Sequence, residues 1–125
     1  MVGGKALPLR FGRSSRIKQG RDFARLRRQG QRLASGCLLG NWLQLEPDSP
    51  SRLGVITANS IGGAVARNRA RRLLREAYRI HQHSLRGGVE LVLVARASIA
   101  GKNFSEVEKD FLTMVRKARL LKQTE

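Results

Sequence analysis

The chain has 125 residues, 41% of them hydrophobic, which allows one domain with a modest core and excludes wholesale disorder. Twenty-five Lys and Arg against nine Asp and Glu give a net charge of +16, and arginine far outnumbers lysine, so the expected partner is a polyanion gripped by forked guanidinium contacts. The lone Cys37 excludes an intrachain disulfide, and no apolar run approaches the roughly 20 residues of a membrane span.

In chain order, residues 1–19 are basic, acid-free and without the apolar stretch of a secretory signal. They read as a flexible arm facing nucleic acid, ahead of one domain over 20–121 and a tail at 122–125. "GRDFARLRRQG" predicts a short helix, with Phe23, Leu26 and Arg27 on one face and Gly30 as its stop. "QRLASG" and "CLLGNWLQLE" predict two strands. "PDSPS" is a turn that suggests a hairpin between the second of these and "RLGVITAN", a third strand. "VELVLVAR" has the continuous apolar run of a central strand. The last element is a helix in which Ser105 and Glu108 form a capping box. Val107, Phe111, Met114, Ala118 and Leu121 form its core stripe. The order is that of an α+β sandwich.

Between the third and fourth strands lies "GGAVARNRARRLLREAYR", Gly62 to Arg79, with six arginines and one acid, Glu76. Laid out at about 100° per residue, Ala66, Ala70, Leu73, Leu74, Ala77, Ile80 and His81 form one stripe. Asn68, Arg71, Arg72, Arg75 and Arg79 fall about 140° to 240° away from Ala66, with Arg67 and Arg69 on the two flanks. A merely solvated face would mix signs in i, i+4 pairs. Here Glu76 is the sole acid, pairing with Arg72 or another neighbour one turn away. The pattern predicts a helix packed by one side and presenting guanidinium groups to phosphates by the other. Gly62 and Gly63 open it, leaving N–H groups that favour an anion, but no Gly-Lys-Ser/Thr follows and a nucleotide-triphosphate loop is excluded.

Catalytic chemistry is hard to find. The acids read as scattered through turns and the outer face of the last helix. His81 and His83 diverge by roughly 200° on a helix, so they form no metal pair. Cys37 reads as a buried structural thiol in a reducing, cytoplasmic protein.

"GGAVARNRARRLLREAYR" resembles the signature of the bacterial ribonuclease P protein family, G-x-A-V-x-R-N-R-x-K/R-R-x-x-R-E. Gly62, Ala64, Val65, Arg67, Asn68, Arg69, Arg71, Arg72, Arg75 and Glu76 fill it without a gap. The resemblance runs from "RDF" at Arg21–Phe23 through "RLGV" at Arg52–Val55 and "VLVAR" at Val92–Arg96 to the last helix, about residues 14 to 120. It implies a mixed four-stranded sheet in α-β-β-β-α-β-α order with a left-handed βαβ crossover, a hand that nothing in the residues indicates and that opposes the usual right-handed rule. It implies a protein subunit that assists a catalytic RNA in removing the 5′ leader from precursor tRNA, and that is inactive alone. The partners are then the RNA subunit and precursor tRNA, with no membrane or small-molecule ligand. No cofactor is held by the protein, and Mg²⁺ belongs to the RNA. Arg67, Asn68, Arg69, Arg71, Arg72 and Arg75 inherit RNA contacts, and Phe23, Arg27 and Asn41 inherit the leader cleft.

This chain departs from the family at three places. Ala58-Asn59-Ser60 stands where Ser-Lys-Lys is usual, Arg27 replaces a second aromatic, and Asn41 replaces a strand aromatic, with Trp42 next to it as the substitute should the register slip. Two other readings compete. A ribosomal or general RNA-binding protein would bind without assisting cleavage, and an architectural DNA-binding protein would need a dimer or helix-turn-helix motif that the chain lacks.

Overall fold

The computed structural model describes residues 16, 17 and 20–122. Three α-helices, α1 (Gly20–Gln29), α2 (Ala64–His81) and α3 (Phe104–Lys117), combine with four strands, β1 (Gln31–Ser35), β2 (Leu38–Gln44), β3 (Arg52–Thr57) and β4 (Val89–Ala95). Short 3₁₀ turns link several of them. The chain order is α-β-β-β-α-β-α, and the sheet order is β1-β2-β4-β3.

The hairpin expected at "PDSPS" does not form. β1 and β2 make the antiparallel hairpin, while β3 pairs parallel to β4, which separates it from β2. The apolar run of β4 explains this, because a strand buried on both faces is best placed between two neighbours. A turn of Pro and Ser limits where the chain bends but not which strand it joins.

Alternation along the strands divides the sheet into two apolar faces. On one, Leu38, Trp42, Leu53, Leu91 and Leu93 meet Leu74 and Ala77 of α2 and Val107, Phe111 and Met114 of α3 in the main core. On the other, Val92 joins Leu26 of α1 and Ile17 in a smaller cluster, with Phe23, Leu43, Ile56 and Val94 around it. Ile17, assigned to the arm by its sequence, is buried and donates its N–H to the Leu53 carbonyl at 2.8 Å. Packing therefore reaches back into the 1–19 segment, whose residues 1–15, 18 and 19 lie outside the described residues, as do 123–125 of the tail. Lys122, the first tail residue, donates its N–H to the Ser84 carbonyl.

α3 starts two residues earlier than its capping signature suggested. Asn103 is the N-cap and exchanges hydrogen bonds with Glu106, at 2.9 and 3.0 Å. Both Asn103/Glu106 and Ser105/Glu108 match the box spacing. The later acid is instead held at 2.7 Å by His81 of α2, whose ring stacks on Phe111. Val107, Phe111 and Met114 are buried as expected, joined by Val115. Ala118 caps the helix, and Leu121 lies beyond it, bridged to Leu85.

Candidate nucleic-acid interface

The arginine-rich segment forms α2, 18 residues long, but its buried side is rotated from the stripe drawn on the wheel. Ala70, Leu74, Ala77 and Tyr78 are buried, whereas Leu73 is half-buried and Ile80 exposed. Tyr78 adds a large ring to the main core on the side towards which the buried face is shifted. Val65, off that stripe, is 83% exposed.

Asn68 and Arg72 are exposed, and Arg67, Arg69, Arg71 and Arg75 are half-buried. Among the described residues, none of Arg67, Arg69, Arg71, Arg72 and Arg75 pairs with a carboxylate. Glu76 is taken by Arg79, with two hydrogen bonds of 2.9 and 2.6 Å, rather than by Arg72. That pairing holds the Glu76 carboxyl below its ordinary range. Several guanidiniums are aimed by neutral acceptors: Arg67 by the Gly62 carbonyl at 2.7 Å, Arg69 by the Lys102 carbonyl at 2.6 Å, and Arg71 by the Asn68 side chain at 2.8 Å. Such bonds orient a cation without neutralising it. Arg75 is held below the usual arginine value by burial, then by the neighbouring Arg16 and Arg71.

At the start of α2, the N-cap Gly63 offers no side chain to the first N–H groups, and Gly62 at φ +141° takes a backbone conformation suited to glycine. Ala58-Asn59-Ser60 leads into a 3₁₀ turn at Asn59–Ile61 that is anchored by buried Ile61 and brings no cation to this end.

Phe23, Arg27 and Asn41 do come together. With Arg32, Leu39, Ile56, Val92 and Val94 they line a cleft of about 190 Å³ between α1 and the sheet. Strand register explains its floor: Asn41, Val92 and Gly54 stand in one row across the sheet, and Leu39, Val94 and Ile56 in the next. Phe23 fits because position 54 is glycine; a Cβ there would come within 2.8 Å of its ring. Trp42 points to the other face and is buried in the main core, so Asn41 holds the cleft position. Its amide nitrogen is already engaged, donating to the carbonyls of Leu26 and Gln31 at 3.0 Å each. Asn41 thus ties the end of α1 to β1 and β2, and offers the cleft far less than an aromatic would.

The charge reading missed the acids that support this cleft. Glu90 of β4 is buried and accepts from Arg25 at 2.6 Å and from Arg52 through two nitrogens, Nε at 2.9 Å. Asp22 lies 3.6 Å from Arg25 and 3.7 Å from Arg52. The network locks α1 onto the sheet. A glutamate second in an otherwise apolar strand was the available signal, because a buried acid requires a cation. Asp110, placed on an outer face by sequence, accepts the Cys37 N–H at 2.9 Å. Cys37 is buried as expected, and burial, aided by Asp110, raises its thiol to about 11. No group of three His, Cys, Asp or Glu able to hold a metal occurs among the described residues, nor does a helix long and apolar enough to cross a membrane.

Fold and site together define a basic α+β sandwich with an apolar-floored cleft on one sheet face and an arginine helix on the other. The ribonuclease P family model matches residues 11–119. The chain is 35% identical to the ribonuclease P protein component of Syntrophomonas wolfei over 108 residues, 86% of this chain and 90% of that one. It is 34% identical to the component of Gluconacetobacter diazotrophicus, over 85% and 92% of the two chains. The fold matches the Staphylococcus aureus RNase P protein with a TM-score of 0.79 at 21% identity, over 86% of this chain and 98% of that one. It matches the Thermotoga maritima protein at 0.73 and 23%, over 82% and 96%. The chain belongs to the ribonuclease P protein family.

Proposed function

We propose that this chain is the RNA-gripping subunit of a tRNA-processing ribonuclease P. The 5′ leader of precursor tRNA runs through the cleft of Phe23 and Arg27, and Arg67, Asn68, Arg69, Arg71, Arg72 and Arg75 engage RNA along α2. The observation that carries the reading is that Arg67, Arg69, Arg71, Arg72 and Arg75 stand on a helix held by the core yet pair with no carboxylate among the described residues. Phe23 supplies a stacking surface for an unpaired base, and Arg27, exposed at the cleft's edge, a phosphate contact. Asn41 shapes the cleft by holding α1 in place.

The acids beside the cleft do not suit a Mg²⁺ site: Glu90 is consumed by two arginines and Asp22 lies near the same two. This reading leaves the metal ions and bond cleavage to the RNA subunit, with the protein working in the cytoplasm. Reconstitution tests it. Isolated protein freed of contaminating nucleases should not cut precursor tRNA in any divalent metal, and adding the cognate RNA subunit should give cleavage at the mature 5′ end. RNA-free protein cutting at that position overturns the reading.

A further inference from the structure

A second depression lies on the far side of the molecule from the leader cleft. Arg69, Arg72, Leu73, Glu76 and Ile80 of α2 and Phe104 of α3 line an open groove of about 620 Å³. Its apolar surface comes from Leu73, Ile80 and Phe104, and Arg69 and Arg72 stand at its rim. Arg69 is held in place by the Lys102 carbonyl, so this cation is set before anything binds. The one acid, Glu76, is occupied by Arg79.

Two further observations point the same way. The exposed large hydrophobic residues among those described are Val65 and Ile80, and both fall on this flank of α2. Val65 precedes Arg69 by one turn, extending the apolar strip along the charged face. Apolar surface bordered by guanidinium groups suits a nucleotide, with a base over the aliphatic and aromatic side chains and its phosphates at the rim. Charge complementarity disfavours a second copy of this +16 chain.

We propose that this α2–α3 groove receives one unpaired, unstacked nucleotide of the ribonuclease P RNA subunit. The inference rests on the proposed function. The source is the RNA subunit rather than the substrate leader because the sheet stands between this groove and the leader cleft. The protein would then hold two RNAs on opposite layers, and Ile80 and Phe104 would give α2 a salt-independent share of its affinity.

The test compares Ile80→Thr, Ile80→Phe and Arg72→Ala in full-length protein binding the RNA subunit over a salt series. Ile80→Thr should weaken binding about 3- to 10-fold with an unchanged logarithmic salt slope, and Ile80→Phe should restore or tighten it. Arg72→Ala should flatten the slope. Because Cys37 is buried, Ile80→Cys carrying an aryl azide on its thiol places a crosslinker at the groove alone. It should join one unpaired position of the RNA subunit, and the leader should not compete. Crosslinks to precursor tRNA, to a second protein copy or to nothing overturn the groove assignment, as does unchanged affinity in Ile80→Thr while Arg72→Ala still weakens binding. If neither substitution affects RNA binding, the arginine-helix reading itself fails.

Discussion

Glu90→Gln tests whether the buried charge network positions the leader cleft. In the native protein the Glu90 carboxylate accepts from Arg25 and twice from Arg52, and it is 3% exposed. Hydrogen bonds to charged groups contribute about 1.5–3 kcal/mol each, and breaking a buried ion pair costs about 3–5 kcal/mol. The two arginine side chains retain 31% and 27% of their exposure and keep Asp22 nearby, so water and that acid offset part of the loss. A cost of about 2–3 kcal/mol follows. Denaturant unfolding should show it as a lower midpoint at constant m. Because Arg25 lies on α1, beside Phe23 and Arg27, the variant should also lose affinity for leader-bearing precursor tRNA while leaderless tRNA binds as before. A triple variant, Glu90→Leu with Arg52→Met and Arg25→Met, should recover much of the stability, since replacing Glu90 and both its partners by apolar groups avoids a stranded charge. Stability of Glu90→Gln within about 0.5 kcal/mol of the parent would refute the reasoning.

On α2, Leu74→Ala should destabilise by about 2–5 kcal/mol, half-buried Leu73→Ala by roughly half as much, and exposed Arg72→Ala by under about 0.5 kcal/mol; melting curves in any other order mean the helix faces are misassigned. In the cleft, Arg27→Phe should flatten the logarithmic salt dependence of leader binding by about 0.7, the value for one phosphate on a single strand, and an unaltered slope places Arg27 outside the leader path. Cys37 should resist thiol reagents at pH 8 until the protein unfolds, because its thiol is buried and raised to about 11. Since the fold favours the protonated thiol, stability from this group is full below the ordinary value of 9.0 and declines as pH rises towards about 11, which unfolding across that range would measure.

Local pattern alone determined much of this protein. The charge excess, the two-sided helix at Ala64–His81 and the apolar run of β4 follow from residue spacing, because helix and strand periodicities are written directly in the order of residues. Phe23 and Arg27 share a face for the same reason, one turn apart. Other features depended on contacts between distant segments. β4 inserts between β2 and β3, where both its edges are hydrogen-bonded and helices cover both its apolar faces, a placement that the turn at Pro47–Pro50 does not encode. The buried side of α2 turns towards Tyr78 and leaves Ile80 exposed; the wheel shows periodicity but not the shape of the surface beneath. Glu108 meets His81 rather than capping α3, and Glu90 finds Arg25 at a separation of 65 residues. A side chain's partner is set by the fold that surrounds it, so these acids looked scattered until the sheet and helices brought their cations to them.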